Sequence, residues 1–178
     1  NSYVTPQSMC RNVKRNRLSK MEKLAGKIDA RLAELGISLP EAAAPAANYV
    51  PYVQTGNTVV VSGQITLKDG KPEFIGKLGK EYDVAVGQEA AKLCAINIIA
   101  QLKAACGDDL DRVKRIVRLG GFVNSMPDFT DQPKVINGAS DLMVEVFGDV
   151  GRHARAAVGC VSLPLGVAVE VDCLAEFE

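Results

Sequence analysis

An arginine and two carboxylates near the end of the chain are the residues best placed to do chemistry. Arg155 stands among alanines and valines, and Glu170 and Asp172 follow 15 and 17 residues later. An arginine in a small, apolar strand is costly unless an anion meets it. That anion can belong to the chain, as an ion pair with Glu170 or Asp172, or to a bound ligand. The spacing alone favours the ion pair and leaves the ligand role open.

The segment that carries these residues is typical of two β-strands joined by a tight turn. Residues 154–162 form the first predicted strand, and the second continues to about Phe177, with apolar and acidic side chains alternating. A period of two indicates a strand with one buried and one polar face. The turn falls at residues 163–166, where proline fixes φ and glycine tolerates a positive φ. This hairpin would bring Arg155 close to the level of the two carboxylates.

Further strands are predicted from the apolar, β-branched segments in the middle of the chain. They cover residues 49–54, 57–64, 65–67 and 113–124. The third of them turns at Asp69-Gly70, which is a strong hairpin signal. Inside the fourth, Gly120-Gly121 indicates a bulge or a close approach of another group to the backbone.

Three helices are predicted from apolar residues at helical spacing. Asp83 is expected to cap a helix that runs to about Ala105, and residues 131–147 form a second, with proline at its first position. A shorter helix is predicted over residues 21–35, ending before Gly36. Strands mixed with two long helices predict an α+β fold, with one sheet and both long helices on one face.

The predicted sheet carries more apolar side chains than two helices can cover. They are Val59, Val61, Val117, Leu119, Val158 and Val169. Packing against the sheets of other copies would remove these side chains from water, so the pattern predicts a homo-oligomer.

Composition describes an ordinary globular protein. The 178 residues, 47% of them hydrophobic, are enough for one domain with a substantial core. The 21 basic and 21 acidic residues cancel, which argues against nucleic acid as a partner, although charge can still be clustered locally. No apolar run is long enough to cross a bilayer, so no membrane partner is expected.

Cysteine and histidine usage narrows the chemistry further. The five cysteines are odd in number and form no C-x-x-C pair, which favours reduced thiols in a reducing compartment. His153 is the single histidine, so most histidine-based zinc sites and a catalytic triad are poor hypotheses. We interpret His153 as an exposed or loop histidine, not a base.

The chain divides into three parts. Residues 1–20 carry five basic residues and no acid, which is typical of a disordered basic arm or a tag-derived segment. A mitochondrial presequence is the alternative, so the expected location is cytoplasmic, or mitochondrial if this arm is natural. Residues 21–48 form the first helix and a Pro- and Ala-rich linker, and residues 49–178 form the main domain.

Five segments, in order, resemble the RidA (YjgF-type) family. They are Pro51–Gln54, Val61–Ile65, Asn137–Phe147, His153–Val158 and Val169–Asp172. The resemblance covers about residues 48–177 and includes the 15-residue spacing from Arg155 to Glu170. The leading helix, with residues 120–124 and 134–139, is similar to a longer, bacterial-type branch of that family.

The resemblance implies a chorismate-mutase-like α+β fold, with a mixed six-stranded sheet and two long helices on one face. It also implies a homotrimer whose sheets form a central barrel, with three clefts between subunits. In the better-known members each cleft binds a small 2-imino or 2-enamino acid and hydrolyses it to the 2-keto acid and ammonia. The implied partners are therefore a small carboxylate-bearing metabolite and other copies of the chain.

The resemblance also assigns roles to residues. Arg155 matches the arginine that binds the substrate carboxylate through a bidentate contact that lysine cannot copy. Glu170 matches the carboxylate that orients or activates the attacking water, a role that suits a pKa raised by partial burial. The positions that match the lining of the cleft are Tyr52, Ser62, Gly63, Asn137 and Ala157. No metal or cofactor is implied, because an imine carbon is already electrophilic and needs mainly orientation and modest acid–base help.

Two positions depart from the family pattern, and both bear on substrate choice. His153 stands where proline is usual, and Ala157 replaces a residue that is often cysteine or another small polar group. Two other functions stay open. One is a non-catalytic module that holds a small carboxylate. The other is a ribonuclease or translation inhibitor, which only the basic residues at 11–20 support.

Overall fold

The computed structural model describes residues 26–42 and 48–178 of the chain. These ranges contain three α-helices and seven β-strands. The helices are α1 (Lys27–Glu34), α2 (Val84–Ala105) and α3 (Gln132–Phe147). The strands are β1 (Tyr52–Thr55), β2 (Thr58–Ile65), β3 (Leu67–Lys68), β4 (Lys71–Pro72), β5 (Val113–Asn124), β6 (Ala154–Cys160) and β7 (Val169–Phe177). Short 3-10 turns cover Leu110–Arg112, Gly148–Gly151 and Pro164–Gly166.

The main sheet has the strand order β1-β2-β7-β5-β6. Its neighbours are antiparallel except β5 and β6, which are parallel. The predicted α+β fold with a mixed sheet is confirmed, but this sheet has five strands, not six. The predicted turn at Asp69-Gly70 joins β3 and β4 into a separate two-stranded ribbon. Beyond Pro72, the Glu73 N–H donates a hydrogen bond of 2.8 Å to the Thr66 carbonyl oxygen.

The last two strands are not hairpin partners, so that part of the sequence analysis was wrong. The predicted turn exists at Pro164–Gly166, but the connection passes over the end of β5, which lies between β6 and β7. Leu119 in β5 is opposite Arg155 on one side and opposite Cys173 on the other. The hydrophobic period identified both strands, but period alone does not say which strand lies beside which.

Both long helices pack on one face of the sheet, as predicted. Asp83 caps α2, because its Oδ1 accepts a hydrogen bond of 2.9 Å from the Val86 N–H. At Gly120-Gly121 the strand register is unbroken, and the bulges fall earlier in β5. A Cβ on Gly121 would lie 2.5 Å from Ile136, so close approach of α3 explains this glycine.

The six apolar residues predicted to need cover divide into two groups. Four of them are fully buried on the side of the helices: Val59, Val61, Leu119 and Val169. The other two, Val117 and Val158, are 37% and 48% exposed. Val53 and Val60 are also about half exposed, because they alternate with residues that face the core. An apolar surface therefore remains on the face away from the helices, and the homotrimer stays a prediction.

Helix α1 is held against the main domain by polar contacts. The Asp111 carboxylate accepts hydrogen bonds from the N–H groups of Lys27 and Ile28, at the beginning of the helix. Lys103 forms a 2.8 Å ion pair with Asp29. The predicted basic arm at 1–20, residues 21–25 of the predicted helix and residues 43–47 of the linker lie outside the described residues.

Two further findings bear on the sequence analysis. Cys94, Cys106, Cys160 and Cys173 are free thiols, and Cys10 lies outside the described residues. Burial raises the pKa of the Cys173 thiol to about 12.

None of the helices in residues 26–42 and 48–178 is long and apolar enough to cross a membrane.

Candidate functional site

Arg155 lies on the helix-facing side of β6 and is held by α3. Its Nη1 donates hydrogen bonds to Asn137 Oδ1 (2.9 Å) and Ser140 Oγ (3.0 Å). Its Nη2 donates to the Pro133 carbonyl oxygen at 3.2 Å. These three acceptors follow one another at helical spacing, so they share the face of α3 that meets β6. The guanidinium is therefore fixed in plane and position by one helix.

All three partners of the Arg155 side chain are neutral. No ion pair formed within residues 26–42 and 48–178 includes Arg155. Asp172 instead contacts Arg118 at 3.1 Å and accepts a hydrogen bond of 2.9 Å from the Gly120 N–H. The ion pair that spacing alone favoured is thus not formed. A partly buried guanidinium without a carboxylate partner is suited to meet an anion from outside the chain.

Glu170 lies on the opposite face of the sheet from Arg155. Its neighbours in β7, Val169 and Val171, are fully buried toward the helices, so alternation directs Glu170 the other way. Burial raises the pKa of its carboxyl above the ordinary value, and the negative charge of Asp172 raises that pKa further. A Cβ on Gly63 would collide with the Glu170 carboxylate. The missing side chain therefore makes room for Glu170 beside β2.

The other predicted site residues fall into two groups. Asn137 and Ala157 lie with Arg155 where α3 covers β6. Ser62 and Gly63 lie with Glu170 where β2 pairs with β7.

Tyr52 and Ser62 have defined surroundings at the other edge of the sheet. Ser62 Oγ donates a hydrogen bond of 2.7 Å to the Val50 carbonyl oxygen, and its N–H donates to the Pro51 carbonyl oxygen. Tyr52, on β1, is opposite Val61 and packs against the core. One protomer therefore does not bring all seven predicted residues into one pocket, because β5 lies between β6 and the β2–β7 pair.

Two residues beside Arg155 make contacts that the sequence analysis did not predict. The first is Ser140, which contacts both Arg155 and His153. The second is His153, which lies in a loop, as interpreted, but is partly buried and hydrogen-bonded at both ring nitrogens. A sequence signal for Ser140 existed, because it stands three residues after Asn137 on the same face of a predicted helix. His153 was noted in the sequence only as a departure from the family pattern, because its contacts depend on packing between separate elements.

Possible metal ligands are dispersed in the part of the chain that the structure describes. There, no three His, Cys, Asp or Glu side chains form a group that could hold a metal ion. That the chemistry needs neither metal nor cofactor stays a prediction.

The α+β fold and the residues around Arg155 and Glu170 define a class of protein, and comparison of the sequence with known families identifies that class. The family model described as "YjgF/chorismate mutase-like, putative endoribonuclease" matches residues 29–177. The chain therefore belongs to the YjgF/chorismate-mutase-like family, and the resemblance found in the sequence is confirmed.

Individual relatives agree with this assignment. Protein TCP17 from Trypanosoma cruzi is 55% identical over 153 residues, which is 85% of this chain and 95% of that protein. The crystal structure of Atu1372, a protein with unknown function from Agrobacterium tumefaciens, is 50% identical with a TM-score of 0.80, covering 85% of this chain and 92% of that one. A structure titled "putative endoribonuclease" from Shewanella oneidensis is 41% identical with a TM-score of 0.81, covering 84% of this chain and 99% of that one.

Proposed function

We propose that this protein hydrolyses small 2-imino and 2-enamino acids to 2-keto acids and ammonia, in clefts between the subunits of a homotrimer. Arg155 binds the substrate carboxylate, and Glu170 orients the attacking water. The observation that carries the proposal is the guanidinium of Arg155, which is partly buried and, among the described residues, bonded only to neutral oxygens of α3.

The geometry of Arg155 favours a carboxylate as its ligand. A guanidinium has five N–H donors, and the hydrogen bonds to α3 use three of them. The remaining donors can meet the two oxygens of a carboxylate, in a charge-assisted pair stronger than a neutral hydrogen bond. Because α3 already holds the guanidinium in plane, little rotamer freedom would be lost on binding.

Glu170 is suited to the second role because of its surroundings. Partial burial and the neighbouring Asp172 raise its pKa, which makes the carboxylate a better proton acceptor. Water would add to the carbon of the protonated imine as Glu170 takes one proton from the water, which gives a carbinolamine. Glu170 would then pass that proton to the nitrogen, which leaves as ammonia while the hydroxyl loses its proton to solvent and the carbon–oxygen double bond forms. Orientation of the water and the carboxylate supplies most of the help that such a reaction needs.

The separation of the two groups supports an assembly of several copies, as proposed. Arg155 and Glu170 lie on opposite faces, with β5 between their strands, which puts about 10 Å of sheet between them. A ligand of a few heavy atoms cannot contact both residues of one protomer. The unpaired edge of β6 and the exposed valines away from the helices support pairing with another copy. Glu170 of that copy would then complete the cleft.

The same separation favours a second candidate, a module that holds a small carboxylate without turning it over. If copies do not assemble in this way, Arg155 can still bind an acid while Glu170 stays remote from it. The matching family and the Shewanella protein are both described as "putative endoribonuclease", which makes RNA cleavage a third outcome to measure.

The test is ammonia release from freshly generated 2-iminobutanoate by the full chain. We expect wild-type protein to exceed the buffer rate, and Arg155→Ala to lower kcat/KM on the order of 100-fold. Arg155→Lys is the matched control, since it keeps the charge but loses the planar fork. A wild-type rate equal to that of buffer would reject the proposed hydrolase activity. Binding of 2-oxobutanoate without turnover would then support the carboxylate-binding module, and cleavage of RNA at physiological salt would support the ribonuclease.

A further inference from the structure

A chain of hydrogen bonds runs from Arg155 away from the proposed cleft and ends at the 3-10 turn after α3. Arg155 Nη1 contacts Ser140 Oγ at 3.0 Å, and Ser140 Oγ contacts His153 Nε2 at 2.9 Å. His153 Nδ1 contacts the Gly151 carbonyl oxygen at 2.6 Å. These hydrogen bonds therefore connect β6, α3 and the turn that precedes β6.

The chemistry of these groups sets the direction of each hydrogen bond. A carbonyl oxygen only accepts, so Nδ1 of His153 carries the proton that is donated to Gly151. In the neutral imidazole, Nε2 is then an acceptor and receives the Ser140 hydroxyl proton. A guanidinium only donates, so Ser140 Oγ accepts from Arg155. Each partner thus fixes the orientation of the next, and one tautomer of His153 satisfies the whole chain.

We propose that Ser140 and His153 are positioning residues that hold Arg155 ready for a carboxylate ligand. The proposal rests on the ligand role of Arg155 given above. With its proton committed to His153, the Ser140 hydroxyl keeps a lone pair aimed at Nη1. Together with Asn137, it occupies Nη1 and leaves Nε and part of Nη2 for the ligand.

The same contacts could merely tie β6 to α3, and the two roles predict different measurements. A tether would affect folding stability and leave the affinity for a carboxylate unchanged in the folded protein. A positioning chain would affect ligand affinity and KM, with kcat at saturation preserved, because neither residue touches the reacting atoms. With a positioning role, binding of a carboxylate at Arg155 would also change the environment of the His153 imidazole.

The first experiment reads the imidazole directly. His153 is the single histidine of the sequence, so ¹⁵N-histidine labelling of the full chain gives one pair of ring signals without further assignment. We expect the Nδ1–H tautomer in the free protein, and a shift of the Nε2 signal when 2-oxobutanoate is added. In Ser140→Ala that shift should be lost. An Nε2–H tautomer would overturn the proposal, and so would a wild-type Nε2 signal whose chemical shift does not change when 2-oxobutanoate binds.

The second experiment measures affinity in variants. Ser140→Ala and His153→Leu are expected to raise the dissociation constant of 2-oxobutanoate and the KM about 3- to 10-fold, with kcat within about twofold. Ser140→Thr restores the hydroxyl, and His153→Gln restores an acceptor at the ε position, so both should recover affinity. Ser38→Ala, exposed after α1, is the control for a serine hydroxyl outside the chain of hydrogen bonds.

Failure of this inference is distinguishable from failure of the proposed function. Unchanged affinity in Ser140→Ala, together with lost affinity in Arg155→Ala, would reject the positioning role and keep the ligand role. Unchanged activity and affinity in Arg155→Ala would reject the ligand role. Urea unfolding of each variant identifies effects that arise from destabilisation alone.

Discussion

Arg155 and Glu170 lie on opposite faces of one sheet, with β5 between the strands that carry them. Arg155 is directed to α3, and Glu170 to the face away from α2 and α3. A single protomer therefore presents two half-sites, one that suits an anion and one that suits a water molecule. The proposed reaction requires a second copy of the chain to bring unlike halves together.

Glu170→Gln is expected to remove turnover and leave the affinity for 2-oxobutanoate intact. In the wild type the carboxylate acts in its deprotonated form, so kcat should fall as the pH drops through the raised pKa of Glu170, above its ordinary value of 4.5. Asp172→Asn should move this acid limb to lower pH, because one of the two causes of the raised pKa is removed. A Glu170→Gln enzyme with wild-type kcat would contradict the assigned role.

The same carboxyl predicts a pH-dependent effect on stability. The folded protein holds the Glu170 proton more tightly than the unfolded chain, so deprotonation favours unfolding as the pH rises above 4.5 and through the raised pKa. Glutamine has no proton to lose. Glu170→Gln should therefore raise Tm relative to wild type at neutral pH, and this advantage should disappear below pH 4.5. Thermal unfolding across pH checks it, and a variant less stable than wild type at neutral pH would count against it.

Gly63→Ala should impair catalysis through Glu170. The added methyl group would collide with the Glu170 carboxylate and displace it. We expect kcat to fall with little change in ligand affinity, since Arg155 is untouched. The affinity for 2-oxobutanoate supplies the control, since a general disturbance of the fold would weaken this affinity together with kcat. Loss of both would mean that the methyl group acts elsewhere.

Asp83→Ala should destabilise the fold by about 1 kcal/mol through loss of the N-cap of α2. Asp83 Oδ1 accepts the hydrogen bond from the Val86 N–H, which has no partner within the helix. Asp83→Asn is the matched control, because its side-chain oxygen can still cap the helix. Urea unfolding measures both variants, and equal losses would show that charge, not the cap, stabilises this end.

Charged substitutions on the open sheet face should dissolve the predicted homotrimer. Val60→Glu and Val158→Glu place a carboxylate on side chains that are 46% and 48% exposed in the protomer. If other copies cover them, burying the charge costs several kcal/mol and the sedimentation coefficient should fall to that of a monomer. Ala33→Glu adds the same charge on exposed α1 and should leave the assembly unchanged. A wild-type protein that sediments as a monomer would reject the trimer outright.

Much of the fold could be read from the sequence because its signals are local. Asp83 and Pro133 mark the beginnings of α2 and α3, and Asp69-Gly70 marks the turn between β3 and β4. The ordered motifs that end in residues 153–158 and 169–172 were enough to identify the family. Periodicity, caps and turn residues act within a few positions of themselves, so a single sequence contains them in full.

The tertiary structure alone decided which strands are neighbours and what Arg155 touches. A period of two describes a strand equally well beside any partner, so the insertion of β5 between β6 and β7 left no local trace. The contact of His153 with Ser140 likewise depends on how α3 packs over β6. The sequence by itself determined the elements, the family and the identity of the charged residues. Packing between distant segments determined that Arg155 meets neutral oxygens and that Glu170 faces away from it, since such contacts depend on the whole chain.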